Sequence, residues 1–345
     1  MKMMKRCILG LLVATGLSSP SFAEPAGGNQ AQASAAARLP DADPAMWVVR
    51  DDDTTIYLFG TFHLMDGKAD WFNEEVRQAF DQSQELVVEI DLPEDQAAVG
   101  ALFQPLIARY APDTQGRSLK NLLSEKEYKN LYDVLAPLGV PTGAFDPLEP
   151  WFASFMLTGA MGQRLGLSQE HGAEFILKRA ALERNMKVGE VETLESQIQM
   201  FDGMPHEEQL SALKEALSDL DAMNALLPRM LRVWNSGDAE GMDAVMNEGL
   251  GERPEMRRAL LGNRNEKWAK WIDDRMDRPG TVFMAVGAGH LVGSDSVQTF
   301  LQKRGFRSAR VPSGVGSSAG AAAGAGAYPV CRSRTQDRCI QRGGR

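Results

Sequence analysis

The sequence predicts an α/β fold: a mixed central sheet built from two repeated halves, with a large α-helical insertion between them. Three observations carry this expectation. Strand-like runs at Thr55–Phe59 and Thr281–Val286 each lead into a Gly-x-x-His-Leu turn, at Gly60–Leu64 and Gly287–Leu291. Each turn is followed by a stretch of helical spacing and then by a further apolar run of strand character. The long segment between the halves, from about 94 to 276, carries apolar residues at helical spacing.

The elements follow in chain order. Lys2, Lys5 and Arg6, a short apolar run from Ile8 to Val13, and Ser21-Phe22-Ala23 have the layout of a signal peptide cleaved near Ala23. Residues 24–40, rich in Ala, Gly and Gln, read as a disordered leader. The folded domain is expected over 41–312. It opens with a hairpin, Met46–Val49 and Thr55–Phe59, around Asp51-Asp52-Asp53. Val76, Ala79 and Phe80 mark a helix over Glu74–Ser83, and Glu85–Ile90 reads as a buried strand.

In the insertion the clearest element is a single helix from Glu207 to Trp234, with a kink near Pro228. Its Leu210, Leu213, Leu217, Leu220, Met223, Leu227 and Leu231 fall on one face and read as core. After the Thr281–Val286 strand come a helix around Asp295–Lys303 and a last strand over Ser308–Val311. Residues 313–345 form a Gly/Ala-rich flexible tail, in which Cys331 and Cys339 can pair as a local staple.

Composition narrows the function. The formal charge is −9, and it falls to about −12 once Lys2, Lys5 and Arg6 leave with the signal peptide. An acidic surface with no basic stripe repels phosphate backbones, so nucleic acid is not an expected partner. No stretch approaches the ~20 apolar residues of a transmembrane anchor. The mature protein is expected in the periplasm or secreted.

The repeat carries the chemistry. In α/β sheets ligands bind at the C-terminal edge of the strands. If the two repeated strands pair near the middle of one sheet, His63 and His290 converge at that edge. Glu89, at the end of the Glu85–Ile90 strand, reaches the same edge, and Asp91 is a rival two residues on. Two imidazoles and a carboxylate suit a divalent transition metal. The chain has only four histidines, and two of them stand in matching contexts. A dinucleotide-binding reading of Gly287–Gly293 fails, because the following strand, Arg307–Val311, carries no acidic residue to meet a ribose. Zincin, nucleophile-elbow and phosphate-loop patterns are absent.

These residues resemble the TraB/GumN family, which is related to the Tiki metalloproteases. The resemblance runs from Trp47 to Val311. It rests on Leu58-Phe-Gly-Thr-Phe-His63-Leu64, Val87-Val-Glu89-Ile-Asp91, and Gly287-Ala-Gly-His290-Leu291. Val191–Gln197 and Arg264-Asn265, ahead of Trp268 and Trp271, are similar as well. The resemblance implies a divalent metal (Mn, Co or Zn) at His63, Glu89 and His290, with Arg264 and Asn265 at the same cleft. On spacing alone Asn265 also reads as the N-cap of a helix starting at Glu266. Glu192 and Glu195 read as surface or helix-cap residues, while the resemblance keeps both as candidates for the site. Where the family often has Gly-Ile/Val-Asp, this chain has Gly172-Ala173-Glu174.

The implied function is a metal-dependent hydrolase, a peptidase acting on a peptide or protein substrate. Glu89 serves either as ligand or as general base. The alternative is a non-catalytic periplasmic protein that binds metal or haem or acts as an accessory factor.

Overall fold

A six-stranded sheet organises the chain. Its strands are β1 (Met46–Arg50), β2 (Thr54–Thr61), β3 (Glu85–Val88), β4 (Lys187–Glu190), β5 (Gly280–Gly287) and β6 (Ala309–Arg310). In space they run β4-β3-β5-β2-β1-β6. The computed structural model describes residues 39–250 and 253–313. The expected signal peptide, almost all of the leader, and the Cys331/Cys339 tail lie outside the described residues.

One helix, α1 (Glu74–Gln82), joins β2 to β3. Between β3 and β4 run α2 (Gln96–Tyr110), α3 (Leu119–Leu122), α4 (Glu125–Leu135), α5 (Pro150–Arg164) and α6 (Ala173–Glu183). Between β4 and β5 run α7 (Leu194–Asp202), α8 (His206–Ser218), α9 (Leu220–Asn235), α10 (Ala239–Leu250), α11 (Pro254–Arg257) and α12 (Asn263–Met276). Finally α13 (Val297–Lys303) links β5 to β6. The fold is therefore the expected α/β sheet of two halves with helices between them. No helix among the described residues is long and apolar enough to cross a membrane.

The central strands explain their own sequence. β5 pairs in parallel with both β2 and β3, so it is flanked on either side. Its residues Val282 to Val286 are fully buried, which is why the run is apolar without alternation. Val282, Met284 and Val286 face Trp268 and Ile272 of α12 and Val297 and Leu301 of α13. Phe283 and Ala285 face the opposite layer, where Phe59 stacks on Trp71 and tilts against Phe283, each at 5.6 Å between ring centroids. Trp234 of α9 donates its indole N–H to the Gly60 carbonyl at 2.7 Å, tying the helical insertion to the end of β2.

Two expectations about the insertion are corrected. It is not wholly helical, because β4 interrupts it and pairs in parallel with β3. Nor is Glu207–Trp234 one helix kinked at Pro228. The chain breaks at Asp219 (φ −142°, ψ 77°), whose carboxylate caps α9 by accepting from the Ala222 N–H at 2.9 Å. An aspartate able to cap outweighs the continuity of the leucine stripe. Pro228 lies within α9. The stripe itself is core as expected, with Leu210, Leu213, Leu217, Met223, Leu227 and Leu231 buried and Leu220 half-buried against them.

Register brings the two repeats together. Gly60 pairs with Val286 and Thr61 with Gly287, so both Gly-x-x-His turns leave adjacent parallel strands side by side. Val88 pairs with Ala285, which brings Glu89 to the same edge from the other flank of β5.

Candidate functional site

At that edge the glycines make the room. A methyl on Gly60 would come within 3.1 Å of the Ala288 Cα, in the turn of the other repeat. A methyl on Gly287 would lie 3.1 Å from Glu89 Oε1 and 3.6 Å from both His63 Nε2 and His290 Cδ2. The point in front of Gly287 is therefore bordered by all three candidate donors. A side chain there would fill it.

Glu89 is buried and fully engaged. Its Oε2 accepts from Arg264 Nη2 at 2.7 Å and Gln197 Nε2 at 3.1 Å, and its Oε1 accepts from the Gly287 N–H at 2.7 Å. Burial alone would raise its pKa. Burial is the largest single influence, but the Arg264 charge, both imidazoles and the Gly287 N–H together overcome it and hold the carboxyl far below the usual range.

The tautomer of His290 is set by its partners. Asn265 donates its Nδ2 to the Asp295 carbonyl at 2.5 Å, so its Oδ1 is left as the acceptor for His290 Nδ1 at 2.6 Å. The proton sits on Nδ1, and the Nε2 lone pair accepts from Arg264 Nη1 at 2.9 Å. Burial, then the nearby Arg264 charge, push this histidine down to about 3, so it is neutral at ordinary pH. Its ring packs against Trp268 at 4.4 Å between centroids.

His63 is the opposite case. Its Nδ1 lies 2.6 Å from Glu174 Oε1, which also takes the Thr61 hydroxyl. Burial lowers its pKa, but the charge and hydrogen bond of Glu174 prevail and raise it to about 9. The N–H of Ala173 bonds to the Phe62 carbonyl at 3.1 Å, which sets Glu174, in the first turn of α6, against the His63 turn.

Arg264 links these groups. Besides Glu89 and His290 it makes three contacts of 2.8–3.0 Å with Glu192, whose carboxylate also accepts from Trp268 Nε1 at 3.1 Å. A π-helical turn at Arg258–Gly262 precedes α12. Such turns shift the facing of the residues after them, and here Arg264 and Asn265 are both buried. Asn265 is thus inside α12 and does not cap a helix starting at Glu266. Its side chain serves His290 instead.

Of the sequence candidates, His63, Glu89, His290, Arg264 and Asn265 come together. Asp91 does not, since it pairs with Lys178 at 2.5 Å. Glu195 is a peripheral partner of Tyr110 and Arg109, as a surface reading expects. Glu192, which the resemblance kept as a candidate, is no surface residue: it is half-buried and paired with Arg264. Glu174 and Gln197 were missed as site residues. The acidic residue two after Gly172, at the family's aspartate position, was the available signal for Glu174.

The donor chemistry fits a divalent cation. Two donors about 2.0–2.2 Å from one ion lie about 3–4 Å apart, and Glu89 Oε1 is 3.9 Å from His290 Nε2. The orienting partners Asn265 and Glu174 are of the kind that metal-binding histidines use. Among the described residues the donor trios lying within 4.8 Å of one another are Asp113/Glu149/His206 and Asp43/Glu74/Glu75, and His63/Glu89/His290 is not one of them. Closing on an ion therefore requires the donors to draw in and Arg264 to release His290 Nε2. The Asp113 trio is already neutralised by Arg117, at 2.5 Å from Asp113 and 3.0 Å from Glu149.

Two cavities, of about 930 and 970 Å³ including space open to solvent, meet at this cluster, and His63 and Glu89 line both.

Comparison with known proteins gives one family model, described as the TraB/PrgY/gumN family, over residues 45–310. YbaP of Escherichia coli K12, a protein named as uncharacterized, is 26% identical over 185 residues, 54% of this chain and 68% of its own length. Metalloprotease TIKI1 of Xenopus tropicalis is 22% identical over 322 residues, covering 78% of this chain and 62% of TIKI1. The human TIKI1 is 20% identical over a similar span. No solved structure matches the chain.

Proposed function

The chain belongs to the TraB/PrgY/gumN family, and from that premise we propose that it is a metal-dependent peptidase with His63, Glu89 and His290 as its metal ligands. The observation that carries this reading is the meeting of those three side chains in front of Gly287, on adjacent strands of one sheet. The similarity to proteins named metalloproteases supports the hydrolytic class. A bound Mn, Co or Zn ion would supply Lewis acidity, polarising a carbonyl and acidifying water.

This chain's own groups divide the remaining work. Glu89 is a ligand and not the base, because a carboxyl held far below the usual range has little proton affinity at neutral pH. Neutral His290 offers Nε2, and Asn265 fixes the tautomer that leaves this nitrogen free of a proton. His63, an imidazolium at neutral pH, would offer Nε2 only on losing the proton there, while Glu174 holds the Nδ1 proton. Arg264 holds Glu89 in place, and its Nη1, once off His290, is positioned to meet negative charge developing on a substrate oxygen. We assign the protein to the periplasm or the secreted fraction.

The test is cleavage of a mixed peptide library by the metal-loaded protein beside Glu89→Gln. Cleavage by the wild type that falls at least a hundredfold in the variant supports the assignment. Equal cleavage by both, or none by either, counts against it.

A further inference from the structure

The two cavities that meet at the donor cluster have walls of different kinds. On one side α9 contributes Met223 and Met230, α10 contributes Met242 and Met246, and Leu260 and Leu261 come from the π-helical turn. On the other side the wall is mixed, with Leu92, Val99 and Phe175 beside Glu94, Glu170 and Lys178.

The methionine-lined cavity is an unusual thing to leave open. Its four methionines are no more than 8% exposed, yet they border space that packing has not filled. Partly open pockets with an apolar lining and a few convergent polar groups are where ligands usually bind. The charged side chains on its wall are Glu89 and Arg264, paired with each other, and His63, paired with Glu174. A polar or charged group entering would lose its water and find few free partners. Methionine has an unbranched, polarisable side chain that reshapes around apolar guests.

The cavity is also continuous with the chemistry. A methyl on Gly289 would fall 2.7 Å from the Met246 Cε, so this methionine packs directly on the turn that presents His290. A side chain lying along Met246 is therefore next to the donors.

We infer that the substrate seats one large apolar side chain (Leu, Met or Phe) in the methionine-lined cavity, flanking the bond that is cut. The adjoining polypeptide continues into the second arm, whose mixed wall carries the charged groups Glu94, Glu170 and Lys178. This rests on the peptidase reading above, and the test separates the two.

Pentapeptides Gly-Gly-Xaa-Gly-Gly, with Xaa as Leu, Met, Phe, Ala or Glu, would be assayed on the metal-loaded full chain for cleavage and, by calorimetry, for binding. The expected result is at least a tenfold preference for Leu, Met and Phe over Ala and Glu, the scale at which one or more methylenes discriminate in an apolar pocket. Met230→Phe with Met242→Phe narrows the cavity and should cut the Leu-to-Ala ratio tenfold or more. Met246→Ala widens it and should shift preference toward Phe, which keeps the test alive if the narrowed variant fails to fold. If no peptide is cleaved but the binding preference holds and responds to the variants, the cavity assignment stands and the peptidase reading falls. If all five peptides are cleaved or bound alike, or none is bound, or the ratio ignores both variants, the assignment is overturned.

Discussion

Asn265 Oδ1 accepts the Nδ1 proton of His290 at 2.6 Å, and this contact decides which ring nitrogen faces the cleft. Removing it in Asn265→Ala frees the ring to turn or change tautomer. Metal affinity should fall ten- to a hundredfold, the usual cost of losing an orienting partner. Asn265→Asp keeps the acceptor and should lose less. Calorimetric titration with Mn, Co and Zn measures both.

Glu174 plays the matching part for His63, with charge as well as orientation. Its negative charge favours imidazolium, so neutralising it in Glu174→Gln must lower the His63 pKa. In the metal-free protein we expect a fall from about 9 toward the ordinary 6.5, read by NMR titration of the ring protons. An unchanged titration would mean that Glu174 does not set the protonation of His63.

Gly287→Ala tests the shared space directly. The backbone there (φ −50°, ψ 133°) is one that any residue adopts, so the fold should survive. The added methyl would press on Glu89 Oε1 at 3.1 Å and stand 3.6 Å from both His63 and His290. We expect a nearly unchanged melting temperature with a loss of metal affinity of a hundredfold or more. A large drop in melting temperature would instead mark Gly287 as a packing residue.

Arg264 neutralises a buried carboxylate, Glu89, and a half-buried one, Glu192. Arg264→Ala leaves both without their cation, which for buried pairs costs about 3–5 kcal/mol. Arg264→Lys keeps the charge but not the fork of contacts and should fall in between. Denaturant unfolding of the metal-free proteins gives the comparison.

Away from the cleft, Glu85 ties β3 to Lys187 and Arg275 at 2.8 and 3.3 Å. Burial raises its pKa, but these two cations prevail and hold it below the ordinary 4.5. A depressed carboxyl stabilises the fold above its unfolded value and loses that contribution as pH falls through its folded value. Below about pH 4.5 the wild type should therefore lose stability more steeply than Glu85→Gln. Thermal melts at pH 3 to 6 decide this.

Much of this architecture was legible in the sequence because its central strands are physically extreme. Thr281–Val286 has no polar face, and only a strand flanked on both sides buries such a run. The repeat of Gly-x-x-His after two strands identified the edge at which His63, Glu89 and His290 meet. Local rules missed what depends on distant partners. Lys187–Glu190 is short and half polar, and it is a strand because β3 lies beside it. Glu192 looked like a surface residue because its partner Arg264 is 72 positions away. Asn265 looked like a helix cap because nothing in its neighbours reveals the π-helical turn that carries α12 back past it.

The most direct test is the metal content of the purified protein beside a His63→Ala/His290→Ala double variant, after dialysis against Mn, Co and Zn. Our account predicts one ion per wild-type chain, lost in the folded double variant. Equal metal in both proteins, or none in either, would contradict it and reduce the two histidines to structural roles.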